Sequence, residues 1–102
     1  MGTIQSKAFE KPATWFAPPG ISLVNTKQWE EIGEVLGLTC RERGVCKLLF
    51  EGNSRNAVAE LLGIKFSTVR QHTESIHSKL HVRSRVGMSL RVIQIRDFLE
   101  NR

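Results

Sequence analysis

The stretch NSRNAVAELLGIKFSTVRQHTESIHSKL, residues 53–80, contains two apolar patterns of helical period separated by a glycine. In its first half Ser54 can cap a helix with a stripe of valine and leucine, and Gly63 can end that helix. The second half repeats its apolar residues at helical spacing, at Val69, Ile76 and Leu80. Its other side carries side chains that can make directional hydrogen bonds: Arg70, Gln71, Glu74 and Ser78.

Two short helices joined by a turn, the second basic and polar outside, are the helix-turn-helix pattern. The charge of the chain is concentrated around this second helix. From Lys65 to Arg85 there are five basic residues and one acidic residue, net +4, whereas residues 1–38 hold three Lys and four Glu, net −1. The whole chain has 15 basic and 10 acidic residues. This distribution favours a polyanionic partner, such as nucleic acid, over a generic solvated surface.

Two further helices are predicted before this pair. The first spans residues 26–36, with Asn25 or its neighbour as the N-cap and Gly37 at its end. Thr39 opens the next helix in a capping box with Glu42, three residues on. No strand pattern stands out, so the sequence predicts an all-α fold.

The last predicted helix, from about Ser84 to Leu99, has two apolar faces. At 100° per residue one face collects Val86, Leu90 and Ile93. The opposite face collects Met88, Val92, Ile95 and Leu99. One face should pack on the core of the domain, and the other needs a second cover. We take the second set as the outer face, covered by the N-terminal segment or by a second subunit.

The N-terminal 25 residues have no clear period. Prolines and glycine interrupt them, yet they contain several large apolar side chains. So many apolar groups argue against a purely disordered tail, and we expect at least residues 15–24 to lie on the domain. Trp15 and Phe16 are the first candidates in this arm to cover the last helix. Contact of the arm with DNA is the other possibility.

The sequence contains no pattern typical of catalysis, metal binding or a membrane span. Cys40 and Cys46 point about 240° apart on a helix, so they cannot form a disulfide there. His72, His77 and His81 lack zinc-site spacing, and no paired carboxylates, activated nucleophile or phosphate loop is present. No apolar run approaches the ~20 residues of a membrane span. We therefore expect no enzyme activity, no cofactor and no metal. Two cysteines without a signal peptide favour a cytoplasmic protein.

Residues 38–85 contain a set of motifs in a fixed order: Leu-Thr-x-Arg-Glu, Gly-x-Ser, Thr-Val-Arg, His-x-x-x-Ile and Lys-Leu-x-Val-x-x-Arg. They are carried by Leu38, Thr39, Arg41, Glu42, Gly52, Ser54, Thr68, Val69, Arg70, His72, Ile76, Lys79, Leu80, Val82 and Arg85. This segment resembles the DNA-binding domain of the LuxR/GerE class of bacterial transcription regulators, which includes the output domains of NarL/FixJ-type response regulators.

The resemblance implies a four-helix domain at residues 38–102, preceded by an arm and one additional short helix at residues 1–37. In this family the third helix enters the major groove and the fourth commonly mediates dimerisation. The family's base-contacting positions fall on Arg70, Gln71 and Glu74. Phosphate contacts are implied at Thr68, Lys79 and Arg85, and we add the neighbouring Lys65, Ser67 and Arg83. We assign dimerisation to the outer face defined above: Met88, Val92, Ile95 and Leu99.

Side-chain chemistry agrees with the base contacts that the resemblance implies. Arginine can bridge guanine O6 and N7, glutamine can pair with adenine N6 and N7, and glutamate can accept from cytosine N4. For Glu74 simple solvation, or repulsion from DNA, stays open as an alternative. His72 is interpreted as a structural residue that packs under the helix.

The chain departs from the family pattern at several helix starts. Lys65 stands where the family often has a serine N-cap, and Ala57 and Gly87 replace the glutamates of two capping boxes. Gly44 and His81 also replace residues frequent in the family, glutamate and glycine respectively. The loss of a helix cap typically lowers the stability of the helix or protein by ~0.5–2 kcal/mol. These changes leave the predicted fold intact but affect the start of the third helix of the family domain, and hence its register on DNA.

Together these expectations describe a sequence-specific regulator of transcription that binds double-stranded DNA as a homodimer, with RNA polymerase as a further candidate partner. The chain length leaves no room for a receiver or autoinducer-binding domain, so we expect abundance, dimerisation or a protein partner to set its activity. The alternative is a protein-interaction module of the same fold that antagonises RNA polymerase or another regulator. Such a module does not need the +4 charge around the second helix. A promoter reader resembling a sigma factor is a third hypothesis.

Overall fold

The computed structural model describes residues 23–102, which form five α-helices and no strand. The helices are α1 (Thr26–Leu36), α2 (Cys40–Phe50), α3 (Arg55–Leu62), α4 (Phe66–Leu80) and α5 (Arg85–Glu100). The predicted all-α fold, with one short helix before a four-helix domain, is confirmed. Trp15 and Phe16, predicted as a cover for the last helix, lie outside the described residues.

The first two helices begin at the predicted caps. The Asn25 side chain accepts from the Gln28 amide at 2.8 Å, and the Gln28 side chain accepts in return from the Asn25 amide at 2.9 Å. Thr39 and Glu42 form the same reciprocal box at the start of α2. Each box satisfies two amides that have no partner inside their helix, and it thereby fixes where the helix starts.

The turn between α3 and α4 depends on a glycine. Gly63 ends α3 with a φ of 65°, in the left-handed region that residues with a Cβ enter only at a cost. The chain turns there, and α4 begins three residues later at Phe66. Lys65 occupies the N-cap of α4 without a side-chain hydrogen bond, as its departure from the family pattern predicts. Neither this cap nor the missing glutamates has altered the helix order.

The core lies around α4, which packs against α2, α3 and α5. The inner face of α4 carries Val69, Thr73, Ile76 and Leu80. From the neighbouring helices the core receives Val45, Cys46, Leu49, Val58, Met88 and Val92. Cys46 is 0% exposed and is therefore a core residue, as predicted; burial raises the pKa of its thiol to about 12, so the thiol stays protonated at neutral pH. Both cysteines are free.

The two apolar faces of α5 exist, but the predicted assignment of the inner and outer face was wrong. The predicted outer residues Met88 and Val92 are 0% exposed and Leu99 is 8% exposed, while Ile95 packs against the same core. Met88, Val92 and Leu99 are buried inside the domain, so this face is not free to form the predicted dimerisation surface. The exposed face is the opposite one, where Val86 is 70% and Leu90 56% exposed.

Helix α1 belongs to the same core, although it lies before the stretch that resembles the family. Trp29 and Ile32 are buried, and the Trp29 ring meets Phe50 of α2 edge to face at a centroid distance of 5.5 Å. At Gly33 an added Cβ would lie 3.0 Å from Cδ of Arg43, so α1 approaches α2 closely there. Helix α1 therefore packs directly on α2. The predicted domain boundary after residue 37 stays a prediction.

The first half of α1 and the C-terminal end of α5 are joined by polar contacts. The Gln28 amide donates to the Glu100 carboxylate at 2.7 Å, and Arg102 pairs with Glu31 at 2.5 Å. Arg96 also donates to the Leu23 carbonyl at 3.0 Å. Across residues 23–102 there is no helix long and apolar enough to cross a membrane, and no group of three residues that could hold a metal ion.

Candidate nucleic-acid interface

After the exposed Phe66 at its start, the outer face of α4 is mainly polar. Its inner residues are buried, so the 3.6-residue period turns the remaining side chains away from the core. The three predicted base-contacting residues, Arg70, Gln71 and Glu74, are all exposed. They fall on adjacent turns of one helix and form a single surface, which we call the reading face. The structure thus brings these three residues together, while contact with a base stays a prediction.

An ion pair within the reading face joins two of its residues. Nη2 of Arg70 lies 3.9 Å from Oε1 of Glu74, one helical turn on, and the two side chains are 59% and 73% exposed. At this distance and exposure the pair contributes little to stability. Glu74 therefore lowers the net charge of the face without locking the Arg70 guanidinium, which can turn to another acceptor at little cost.

The predicted phosphate-contacting residues lie at both ends of α4. Lys65, Ser67 and Thr68 are at its start, and Arg83 follows its end. Lys65, Ser67 and Arg83 are exposed, and within the described part of the chain their side chains make no hydrogen bond or ion pair. These residues flank the reading face at positions where positive charge can meet a phosphate backbone.

Lys79, also predicted to contact phosphate, is tied to α2 instead. Its ammonium lies 2.6 Å from Oε1 of Glu42 and donates to the Gly37 carbonyl at 3.0 Å. The same carboxylate accepts hydrogen bonds from the Ser75 hydroxyl and the Thr39 amide. One capping residue of α2 therefore holds two side chains of α4, and this fixes the rotation and height of α4 on the domain. Two of the three ammonium protons of Lys79 are used in this way.

The Glu42 carboxylate is ionised over the whole ordinary pH range. Burial raises its pKa, but the hydrogen bonds from Lys79, Ser75 and the Thr39 amide outweigh this effect and lower the pKa from 4.5 to about 2. The side chain is only 7% exposed. A buried carboxylate with this many donors is a fixed negative charge, and it keeps the Lys79 ammonium in place.

Arg85, the last predicted phosphate-contacting residue, has contacts inside the domain as well. Its Nη2 donates to the Leu49 and Asn53 carbonyls, the latter at 2.6 Å. Burial, and then the nearby charge of Arg55, lower the pKa of this guanidinium. Arg85 therefore joins the start of α5 to the end of α2 and leaves its other nitrogens for a phosphate. A phosphate contact from Arg85 or Lys79 stays a prediction.

A small pocket next to the reading face was not foreseen from the sequence. It has a volume of about 120 Å³ and lies between the start of α3 and one side of α4. It is lined by Arg55, Arg70, Thr73, Glu74 and His77. Nε2 of His77 is buried without a hydrogen-bond partner among the described residues. Burial, and then the charge of Arg55, lower the pKa of this imidazole.

Arg55 was missed at the level of sequence because only the second helix of the pair was considered for DNA contacts. The available signal was a basic residue directly after the Ser54 cap, at the first position of the first helix. In helix-turn-helix proteins that helix crosses the DNA backbone. The pairing of Glu42 with Lys79 was not foreseen either, since two residues 37 positions apart give no local pattern.

Comparison with known proteins agrees with this architecture. The family model described as GerE, bacterial regulatory proteins, luxR family, matches residues 36–91, just over half of the chain. A protein from Aeromonas salmonicida named "Putative HTH-type transcriptional regulator in exeN 3'region" is 44% identical over 51 residues, which is 50% of this chain and 26% of that protein. The chain thus spans about a quarter of the length of this relative. No solved structure gives a significant match.

The matched region runs from the end of α1 into α5 and includes the α3–α4 pair, the reading face and the Glu42–Lys79 contact. The chain belongs to the luxR family of bacterial regulatory proteins.

Proposed function

We propose that this protein is a non-enzymatic regulator of transcription that binds specific DNA sequences with α4 in the major groove. The observation that carries the proposal is the reading face: Arg70, Gln71 and Glu74 are exposed on one side of a helix whose other side is buried. An α-helix fits the major groove, and these three side-chain types pair there with guanine, adenine and cytosine. Membership of the luxR family supports the regulatory role in general.

The proposal divides the contacts into two kinds. The reading face supplies sequence preference, and the residues at the ends of α4 hold the backbone and set the register. Lys65, Ser67, Thr68 and Arg83 are the principal candidates for the backbone because they have no competing contact of the kind that occupies Lys79 and Arg85. Lys79 acts first by positioning α4, and a phosphate contact from it is secondary.

We further propose a homodimer formed through the exposed apolar face of α5. Val86 and Leu90 lie one helical turn apart on this face, and neighbouring exposed apolar side chains can form part of a protein interface. Two copies related by a twofold axis would place their reading faces in successive major grooves, so half-sites about one helical turn apart, ~10 bp, are expected. RNA polymerase stays a candidate partner. A cytoplasmic location also stays a proposal.

Selection of bound fragments from a random DNA pool, followed by binding measurements at two or more salt concentrations, tests the proposal. We expect an enriched palindromic site and a slope of log K against log salt of about −0.9 for each phosphate neutralised. A slope near zero on every DNA would contradict DNA binding. It would favour the second candidate function, a protein-interaction module that antagonises RNA polymerase or another regulator through exposed apolar residues such as Leu90 and Leu61.

A further inference from the structure

The pocket between α3 and α4 concentrates positive charge beside the reading face. Two guanidinium groups, from Arg55 and Arg70, line it against one carboxylate, from Glu74. Arg85 lies close enough for Arg55 to lower its pKa. The one carboxylate is balanced by its own pair with Arg70 on the same helix. The charge of Arg55 is therefore uncompensated by any acidic residue of the pocket.

Two further features make this pocket suitable for an oxyanion. Arg55 is the first residue of α3, where the helix dipole adds to the positive potential. His77 contributes a buried ring nitrogen without a partner among the described residues. An unmet buried polar atom carries a desolvation cost, so a donor tautomer of His77 would gain from an acceptor that enters the pocket beside it. The pocket thus combines an uncompensated guanidinium with an unpartnered imidazole nitrogen in its wall.

We propose that this pocket takes one backbone phosphate of each DNA half-site, with Arg55 as its principal ligand. The proposal rests on the DNA-binding function above and adds a contact from the first helix of the pair. The geometry fits this ligand because the pocket borders Arg70 and Glu74, which face the bases, while the first helix of such a pair crosses the backbone. A phosphate there sets the depth and tilt of α4 in the groove.

The matched comparison is between Arg55→Ala and Lys27→Ala. Both substitutions remove one exposed positive charge, but Lys27 lies on α1, which packs against α2 and α5. Arg55→Ala should weaken binding to a selected duplex roughly ten- to a hundredfold, as expected for a charged hydrogen bond. It should also flatten the salt slope by about one unit for each half-site, whereas Lys27→Ala should change neither quantity. Arg55→Lys keeps the charge without the planar fork and should restore most of the slope with part of the affinity.

Duplexes that carry a single neutral methylphosphonate at each backbone position then identify the phosphate. With the wild-type protein one position per half-site should lose affinity because Arg55 binds it, and with Arg55→Ala this penalty should disappear while the penalties elsewhere remain. If the wild-type protein binds no DNA, the proposed function fails and the pocket proposal fails with it. If the wild-type protein binds its site but Arg55→Ala keeps the same salt slope and every methylphosphonate penalty, the pocket proposal alone is overturned.

Discussion

Nζ of Lys79 lies 2.6 Å from Oε1 of Glu42, so the penultimate residue of α4 is fastened to the first turn of α2. Lys79 is 35% exposed and Glu42 7% exposed. We expect Lys79→Met to destabilise the protein by about 2–3 kcal/mol because it leaves a buried carboxylate with one charged donor fewer. Urea unfolding monitored by circular dichroism measures this loss. The double variant with Glu42→Gln should lose less than the sum of the two single variants.

Removing this ion pair distinguishes two possible roles for Lys79 in DNA binding. If Lys79 only positions α4, Lys79→Met should lower the affinity for the selected site without changing the salt slope, measured at a temperature where the variant is folded. If its remaining proton meets a phosphate, the slope should flatten by about one unit for each phosphate that is no longer neutralised. A variant with wild-type stability and a flattened slope would contradict the positioning role.

Acid should destabilise the protein through Glu42. Its pKa in the folded state is about 2, below the ordinary value of 4.5, so the folded state binds fewer protons than the unfolded state between these values. The stabilisation is fully present above about pH 5.5 and is lost as the pH falls through 4.5 towards 2, by up to about 3 kcal/mol. Urea unfolding at a series of pH values measures it. Glu42→Gln should flatten the curve over this window, and an unchanged curve would contradict the assignment.

Single alanine substitutions on the reading face should separate base reading from simple solvation. Gln71→Ala and Arg70→Ala should each lose about 1–3 kcal/mol on the selected site and relax preference at one base position of each half-site. Their stability should change by less than about 0.5 kcal/mol because both side chains are exposed. Binding to the site and to its single-base changes is the measurement. If both variants keep the wild-type preferences, sequence reading lies elsewhere.

Two substitutions to glutamate on α5 should have opposite results. Leu90→Glu places a charge on an exposed face, so it should leave a folded protein and, if that face is the dimer interface, a monomer. Val92→Glu buries a charge at a position that is 0% exposed and should unfold the protein at every concentration. Circular dichroism and analytical ultracentrifugation distinguish the two. A folded Leu90→Glu variant with the wild-type mass distribution would contradict a dimer through this face.

Local rules predicted the helices of this protein well. The capping box at Thr39 and Glu42 and the glycine at position 63 act through backbone groups within a few residues, so their effects can be inferred from the sequence. The burial of one side of α4 follows in the same way from its helical period. The positions of Arg70, Gln71 and Glu74 on the opposite side followed from it.

The relations between distant elements could not be predicted in this way. The two faces of α5 are almost equally apolar, and only the position of α5 against α2 and α4 decides that Val92 points inward and Leu90 outward. Residues 37 positions apart meet at Lys79 and Glu42, and no periodicity indicates such a pair. The pocket at Arg55 likewise exists only where the start of α3 meets the side of α4.

The packing of α1 against α2 and α5 determines which segment can be transferred to another protein in a chimaera. A chimaera cut at the boundary of the family motif, after residue 37, would leave behind Trp29 and Ile32, which fill part of the common core. It would also remove the partners of Glu100 and Arg102 at the far end of α5. The transplantable unit therefore starts at least as early as the Asn25 cap, and a graft that respects the motif but omits α1 would expose apolar side chains of α2 to water.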